Sequence, residues 1–399
     1  MQLPATFSDH TRQLMGTERF ERFLHSFEEE PPVSIRLNPL KTQGMQVTDG
    51  ESVPWCRNGY YLKHRPNFTM DPLLHAGCYY VQEASSMFLD EVLRQIVNRQ
   101  LVNCKCLDLC AAPGGKSTLL RAALTPDSVL YSNEPIRQRA NILAENVAKW
   151  GWQNHLVTNL YPRDYRKTKM LFDLILCDVP CSGEGMFRKD EATVREWSPQ
   201  QVEKCWQLQR DIVSDAWQCL QPGGILIYST CTFNTKENEE NIRWILQEFD
   251  AETVRIQTQP EWNITGSLLE GFNEPVYRFI PGITRGEGLF MCVLRKKGER
   301  KEVRGKMLEG RSVRLETSGV KVELTYQQAI AYLRHEALIL PADAPRGIID
   351  VAFMGHTLGQ VKNIGTRANN LYPKEWKIKT TYIPTEYEAI LRYTEPHTD

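Results

Sequence analysis

The sequence predicts an α/β protein built on a doubly wound parallel sheet, with a small mixed domain before it and a β-rich module after it. Two observations lead there. Between about 104 and 295, short apolar runs alternate with longer amphipathic ones, as in a parallel sheet covered by helices on both faces. The 399 residues also exceed one ordinary core of roughly 100 to 200 residues, so two or three domains are expected.

Taken in order, residues 1–75 have weaker periodicity. Their PPVSIRLNPLK and VPWCRNGYYL segments suggest a small N-terminal α/β domain of RNA-binding type. The central domain is expected over 76–296. Its apolar runs predict strands at 106–109, 129–132, 156–158, 172–179 and 224–230, and the amphipathic runs between them predict helices at 116–124, 136–150, 199–220 and 236–249. GLFMCVLRK at 288–296 follows a loop rich in Gly and Pro and is expected to be the last strand of the sheet. A basic linker is expected over 297–307. From 308 to 399, short runs such as RGIIDVAFMG and turns such as NNLYP predict a compact β-rich module.

Composition excludes several classes. With 41% hydrophobic, 24% charged and 10% aromatic residues, the chain is neither disordered nor collagen-like nor low-complexity. The first residues lack the basic and apolar regions of a secretory signal, and no apolar run approaches the ~20 residues of a spanning helix, so a cytoplasmic protein with no membrane partner is expected. Several of the 11 cysteines sit within apolar runs such as KCLDLC and LILCDV, as reduced core thiols do, and with no CxxC pair no metal site is expected. A net charge of −1 gives no global pull toward a polyanion, so nucleic-acid binding must use local patches. The best of these is RKKGERKEVRGK at 295–306, with seven basic and two acidic residues, although such a run also suits a solvated linker.

Four segments carry chemistry. LDLCAAPGGKS at 107–117 runs from a strand through a small-residue turn into a helix. There the backbone of Cys110, Ala111, Ala112, Pro113, Gly114, Gly115 and Lys116 can approach a ligand, and the helix amides favour an anionic group. SNEP at 132–135 places Glu134 beyond the second strand, where a carboxylate can hold both ribose hydroxyls or serve merely as a helix N-terminal charge. A carboxylate there would repel a triphosphate, so the pair suits an adenosine-containing cofactor without phosphates. CDVPCSGEGMFRKD at 177–190 and YSTCTFNTKENEEN at 228–241 then put Asp178, Cys181 and Cys231 at the ends of two further strands. C5 of a pyrimidine is a poor nucleophile until a thiolate adds at C6, and an acid at N3 stabilises the charge that develops. Amino-group methylation would leave the thiols without a task.

On these four segments, together with SIRLNPLK at 34–41, YYVQEASSM at 79–87 and GLFMCVLRKK at 288–297, the chain resembles the Sun (NSUN) family of S-adenosylmethionine-dependent RNA cytosine-5 methyltransferases. Its GEGMFRKD extension, GHTLGQVKNIG and NNLYP resemble the RsmF/YebU branch that methylates 16S ribosomal RNA. The resemblance implies a class I methyltransferase fold with a PUA-like RNA-binding domain at the C-terminus and S-adenosylmethionine as cofactor. It also implies cofactor binding by 110–116, Glu134 and Asp178, with Lys116 in the catalytic set and Asp178 between cofactor and base. Cys231 is implied as nucleophile and Cys181 as the group that assists product release, a ranking the residues alone leave open.

The sequence departs from the family at TNLYP (158–162), where Tyr161 stands in place of the usual acidic residue. Adenine contact is left open between stacking on Tyr161, Asn159 and the nearby Asp164. The leading expectation is a monomeric enzyme acting on 16S rRNA or the small subunit. The alternatives are a tRNA substrate and a catalytically silent RNA-binding assembly factor.

Overall fold

Apolar runs bounded by turns become the five parallel strands at the centre of a nine-stranded sheet in the computed structural model, which describes residues 3–100, 103–300, 310–313, 315 and 317–394, without the side chains of 97–100. Their spatial order is His155–Thr158, Val129–Asn133, Lys105–Asp108, Phe172–Asp178 and Leu220–Thr230. Residues on these strands alternate between two cores because successive side chains leave a strand on opposite faces. Cys106, Leu174, Leu176, Ile225 and Ile227 point to one side, and Leu107, Ile175, Cys177, Leu226 and Tyr228 to the other. Both faces are covered by helices, including Gly115–Ala123, Arg137–Trp150, Pro199–Cys219 and Glu239–Glu248.

The strand Leu289–Lys296 runs antiparallel beside Leu220–Thr230 and is not at the sheet edge. Ala251–Thr253 and Tyr277–Phe279 flank it on its outer side, each too short to show an alternation in sequence. At the opposite edge Arg311–Ser312 pairs with His155–Thr158, so a residue pair from the expected C-terminal module completes the central sheet.

The N-terminal unit has two helices, Ala5–Met15 and Thr17–His25, and a sheet ordered Gly50–Ser52, Gly59–Leu62, Val33–Leu37, Tyr79–Val81. Its last strand lies past residue 75, where the sequence reading ended that domain. The C-terminal module carries the sheet Lys321–Glu323, Gly347–Phe353, His356–Asn363, Ala368–Asn370 and the helix Tyr326–Leu333. Residues 301–307 of the expected linker, and 308–309 of the module after it, lie outside the described residues. No helix among the described residues is long and apolar enough to cross a membrane.

The two small units are not separate bodies. Leu391–Tyr393 pairs with Met45–Val47, and Ile35, Phe68 and Tyr79 share one core with Leu333, Val351 and Leu391. At their junction the buried Asp71 accepts hydrogen bonds from the Leu73 amide (2.9 Å), Tyr79 (2.8 Å) and Tyr387 (3.1 Å). Removing it strands three donors. Asp71→Ala should therefore lower the unfolding free energy by about 2 to 4 kcal/mol and Tyr387→Phe by about 1 kcal/mol, read by urea denaturation. An unchanged midpoint for Asp71→Ala would contradict the docking described.

Candidate active site

In a doubly wound sheet, ligands settle where the strand order reverses, outside the carboxyl ends of the strands. Here that point lies between Lys105–Asp108 and Phe172–Asp178, which are neighbours in the sheet although two strands separate them in the chain. The loop 109–116 leaves the first of these. Its path is fixed by Ala111 N donating to Asn133 O (2.8 Å) and Asn133 Nδ2 to Leu109 O (3.1 Å). Gly114 begins the next helix at φ +119°, a left-handed conformation, and a side chain there would press on Leu143 at 3.2 Å.

Glu134 comes to the same place. Its carboxylate is buried, accepts from Ile136 N at 2.9 Å and pairs with Arg139 at 3.2 Å. Arg139 also donates to Ala112 O at 3.1 Å, which ties the acidic residue to the glycine-bearing loop. Of the three groups considered for an adenine contact, Asn159 gives its amide to the carbonyls of Glu134 (2.6 Å) and Pro135 (2.9 Å). Asp164 bonds Lys167 and the Tyr161 amide as a helix cap, and the Tyr161 side chain is exposed.

Lys116, in the first turn of its helix, reaches Asp178 at 2.8 Å, and the other oxygen of Asp178 accepts from Ser229 at 2.6 Å. Burial works against the Lys116 charge, but Asp178, by charge and hydrogen bond, and the nearby Cys231 hold its pKa above the ordinary lysine value. The thiols of Cys181 and Cys231 face each other at 3.3 Å, both free and half-buried. The contact with Cys231, followed by burial and the charge of Glu237, pushes the Cys181 thiol far up. Cys110 is also far up, first through burial, so it remains a neutral thiol in the loop. The structure thus gathers Lys116, Asp178, Cys181 and Cys231 at one spot and sets the 110–116 loop and Glu134 beside it.

Several residues here escaped the sequence reading. Arg36, in SIRLNPLK, donates to Gly115 O (3.1 Å), Thr118 Oγ1 (2.7 Å) and Gln82 Oε1 (2.7 Å) and lies over the Trp150 ring, so the N-terminal sheet anchors the loop. Glu184 accepts from the amides of Phe233 (2.7 Å) and Asn234 (3.0 Å). Glu237 accepts from Ser182 N (3.0 Å) and Gln209 (2.7 Å). Behind these loops Phe7 and Phe23 of the N-terminal helices pack edge-on against Phe187 and Phe233. A cavity of about 850 Å³ opens between the N-terminal sheet and this domain, with Ser34, Lys63, Arg65, Gln82, Arg188 and Lys189 in its walls.

Asp108, at the end of the first strand, is fully buried. One oxygen accepts from Ser117 at 2.5 Å, and the other has no partner among the described residues. Burial first, and then Asp178 against the opposing Ser117 hydrogen bond, lifts its pKa from 3.8 to about 7. The folded protein therefore binds a proton that the unfolded chain releases, so the contribution of Asp108 to stability is full below pH 3.8 and is lost as pH rises through about 7. Asp108→Asn should flatten that decline in urea unfolding measured between about pH 4 and 8. An unaltered pH profile would show that Asp108 does not titrate in this window.

Each of the three parts of the chain matches a known family model. Residues 95–295 match the family model of the 16S rRNA methyltransferase RsmB/F, residues 3–84 that of the N-terminal domain of 16S rRNA methyltransferase RsmF, and residues 320–378 that of the methyltransferase RsmF PUA domain. A ribosomal RNA small subunit methyltransferase F from Pectobacterium atrosepticum is 32% identical over 315 residues, covering 74% of this chain and 63% of its own length. The chain thus spans less than two thirds of that relative. The crystal structure of PH0851 superposes with a TM-score of 0.64 at 26% identity, over 74% of this chain and 66% of that one. A methyltransferase homolog protein from Pyrococcus horikoshii gives 0.61 at 28% identity, over 73% and 94%.

Proposed function

The chain belongs to the 16S rRNA methyltransferase RsmB/F family, and from that membership we propose that it transfers a methyl group from S-adenosylmethionine to C5 of a cytosine in RNA, with 16S ribosomal RNA as substrate. The observation that carries this reading is the pair of thiols at 3.3 Å beside the Lys116–Asp178 ion pair. An intact set of these four groups is what a silent assembly factor would have no need to keep.

S-adenosylmethionine supplies an electrophilic methyl group. The residues present fit it: the unpartnered oxygen of buried Asp108 is an acceptor suited to an ammonium donor, and Glu134 retains acceptor capacity beyond Ile136 and Arg139. The 110–116 loop would enclose the methionine part and Glu134 would take the ribose hydroxyls.

Cys231 attacks C6, and the Lys116 ammonium, held in charge by Asp178, stabilises both the thiolate and the negative charge passed to the ring. Asp178 would then stand between cofactor and base, as the family resemblance implies. After methylation a base must take the C5 proton so that the C6–S bond can break. Before the reaction, Cys231 is the chief cause that keeps the Cys181 thiol protonated. Burial and the charge of Glu237 add to that contact, so Cys181 rests as the thiol and must lose its proton at the stage when a base is required. The cavity offers the basic Lys63, Arg65 and Lys189 to the flanking phosphates of a single strand, and the C-terminal module adds further RNA contacts. The basic run 295–306 is a candidate for the same task, although its residues 301–306 lie outside the described residues.

Labelled methyl transfer to naked 16S rRNA, isolated small subunits and tRNA, followed by mapping, tests the substrate. Cys231→Ala should abolish methylation and leave no adduct. Cys181→Ala should attack and then stall as a cofactor-dependent protein–RNA band on a denaturing gel, with turnover reduced by about a hundredfold or more. The band in Cys231→Ala alone would exchange the roles, and unaltered turnover in both would exclude covalent catalysis.

A further inference from the structure

Methyl transfer uses the two thiols in succession, and the fold holds them in contact. We propose that Cys181 and Cys231 also form a redox modification site, closing to a disulfide when a hydroperoxide reaches them. The sulfurs are 3.3 Å apart, so a bond of ~2.05 Å requires only a short approach. Both lie on loops beyond strand ends and are half-buried, so a small oxidant can reach them.

The chemistry needs only the peroxide. The Cys231 sulfur, as thiolate, attacks one peroxide oxygen. An S–O bond forms, the O–O bond breaks, and the departing oxygen leaves as water after taking up a proton. The Cys181 sulfur then attacks the sulfenic sulfur of Cys231. An S–S bond forms, the S–O bond breaks, and a second water leaves with the Cys181 proton. The two thiols together lose two electrons and two protons, and one hydroperoxide of the H₂O₂ type becomes two waters.

A second pair supplies the contrast. Cys104 and Cys106 approach to 3.4 Å, but both are fully buried at the start of the Lys105–Asp108 strand, beyond the reach of an oxidant in solution. The active-site pair is the accessible one. Its effect on activity rests on the functional reading above: the disulfide removes nucleophile and base together, and it also shields Cys231 from irreversible oxidation to sulfinic acid.

The test treats the full chain with hydrogen peroxide in the absence of reductant, alkylates the remaining thiols and maps linked peptides. Methyl transfer is measured before treatment, after it and after dithiothreitol. The wild type should become two hydrogens lighter, yield a Cys181–Cys231 linked peptide, lose activity by about tenfold or more because the nucleophile is consumed, and recover it with dithiothreitol. In Cys181→Ala, which lacks the resolving thiol, Cys231 should instead gain two oxygens that dithiothreitol does not remove. Oxygen addition to wild-type Cys231 without the linked peptide would overturn the proposal, as would a linked peptide confined to Cys104 and Cys106. If untreated enzyme transfers no methyl group to any RNA, the functional reading fails, and the peptide map still decides whether the disulfide forms.

Discussion

Strands that end side by side do not by themselves press two loops into contact; in this chain the contact depends on the buried carboxylate of Glu184. That side chain comes from the loop after Cys181, yet it accepts from Phe233 N, Asn234 N, Asn234 Nδ2 and Trp197 Nε1, at 2.7 to 3.1 Å. Glu237 makes the reciprocal connection, from the loop after Cys231 to Ser182 N. Burying two carboxylates is costly unless their lone pairs are met, and here each meets three or more donors. Gly185 completes the closure: its amide donates to Cys231 O at 2.7 Å, and a Cβ there would lie 2.2 Å from that oxygen. The 3.3 Å gap between the thiols follows from these cross-links.

The rest of the chain supports that closure from behind. Phe7 and Phe23 pack on Phe187 and Phe233, so the N-terminal helices back the two loops. Arg36 performs the corresponding task for the other half of the site, bridging the N-terminal sheet to Gly115 and Thr118; its burial lowers the guanidinium pKa to about 10. The C-terminal module is joined to the same N-terminal sheet through one core and the Asp71–Tyr387 contact.

The central strands were legible because each is a continuous apolar run closed by Pro, Gly or Asn. The same punctuation exposed the Cys181 and Cys231 loops. The strand Leu220–Thr230 begins four residues before the expected 224 because Gln221, Pro222 and the two glycines after it spell a turn, and its pairing with Phe172–Asp178 does shift register between Leu220 and Ile225. Glu184 and Glu237 were not legible. An acidic residue in a polar stretch looks like solvated surface, and the Phe233, Asn234 and Ser182 amides and the Gln209 side chain that meet these two lie 28 to 55 positions away. Arg36 was hidden likewise, a single cation in a short strand whose partners Gly115 and Thr118 come from the central domain. The strands Leu391–Tyr393 and Met45–Val47, at three residues each, leave no period to read.

The division of labour between the thiols is most directly tested with substrate RNA carrying 5-fluorocytidine at the methylated position. Fluorine at C5 leaves no proton for a base to remove, so the adduct formed after methyl transfer cannot be released. Digestion and mass spectrometry of the trapped complex should find the nucleotide joined to the peptide containing Cys231, with Cys181 free. Attachment to Cys181, or continued turnover without any trapped complex, would contradict the account.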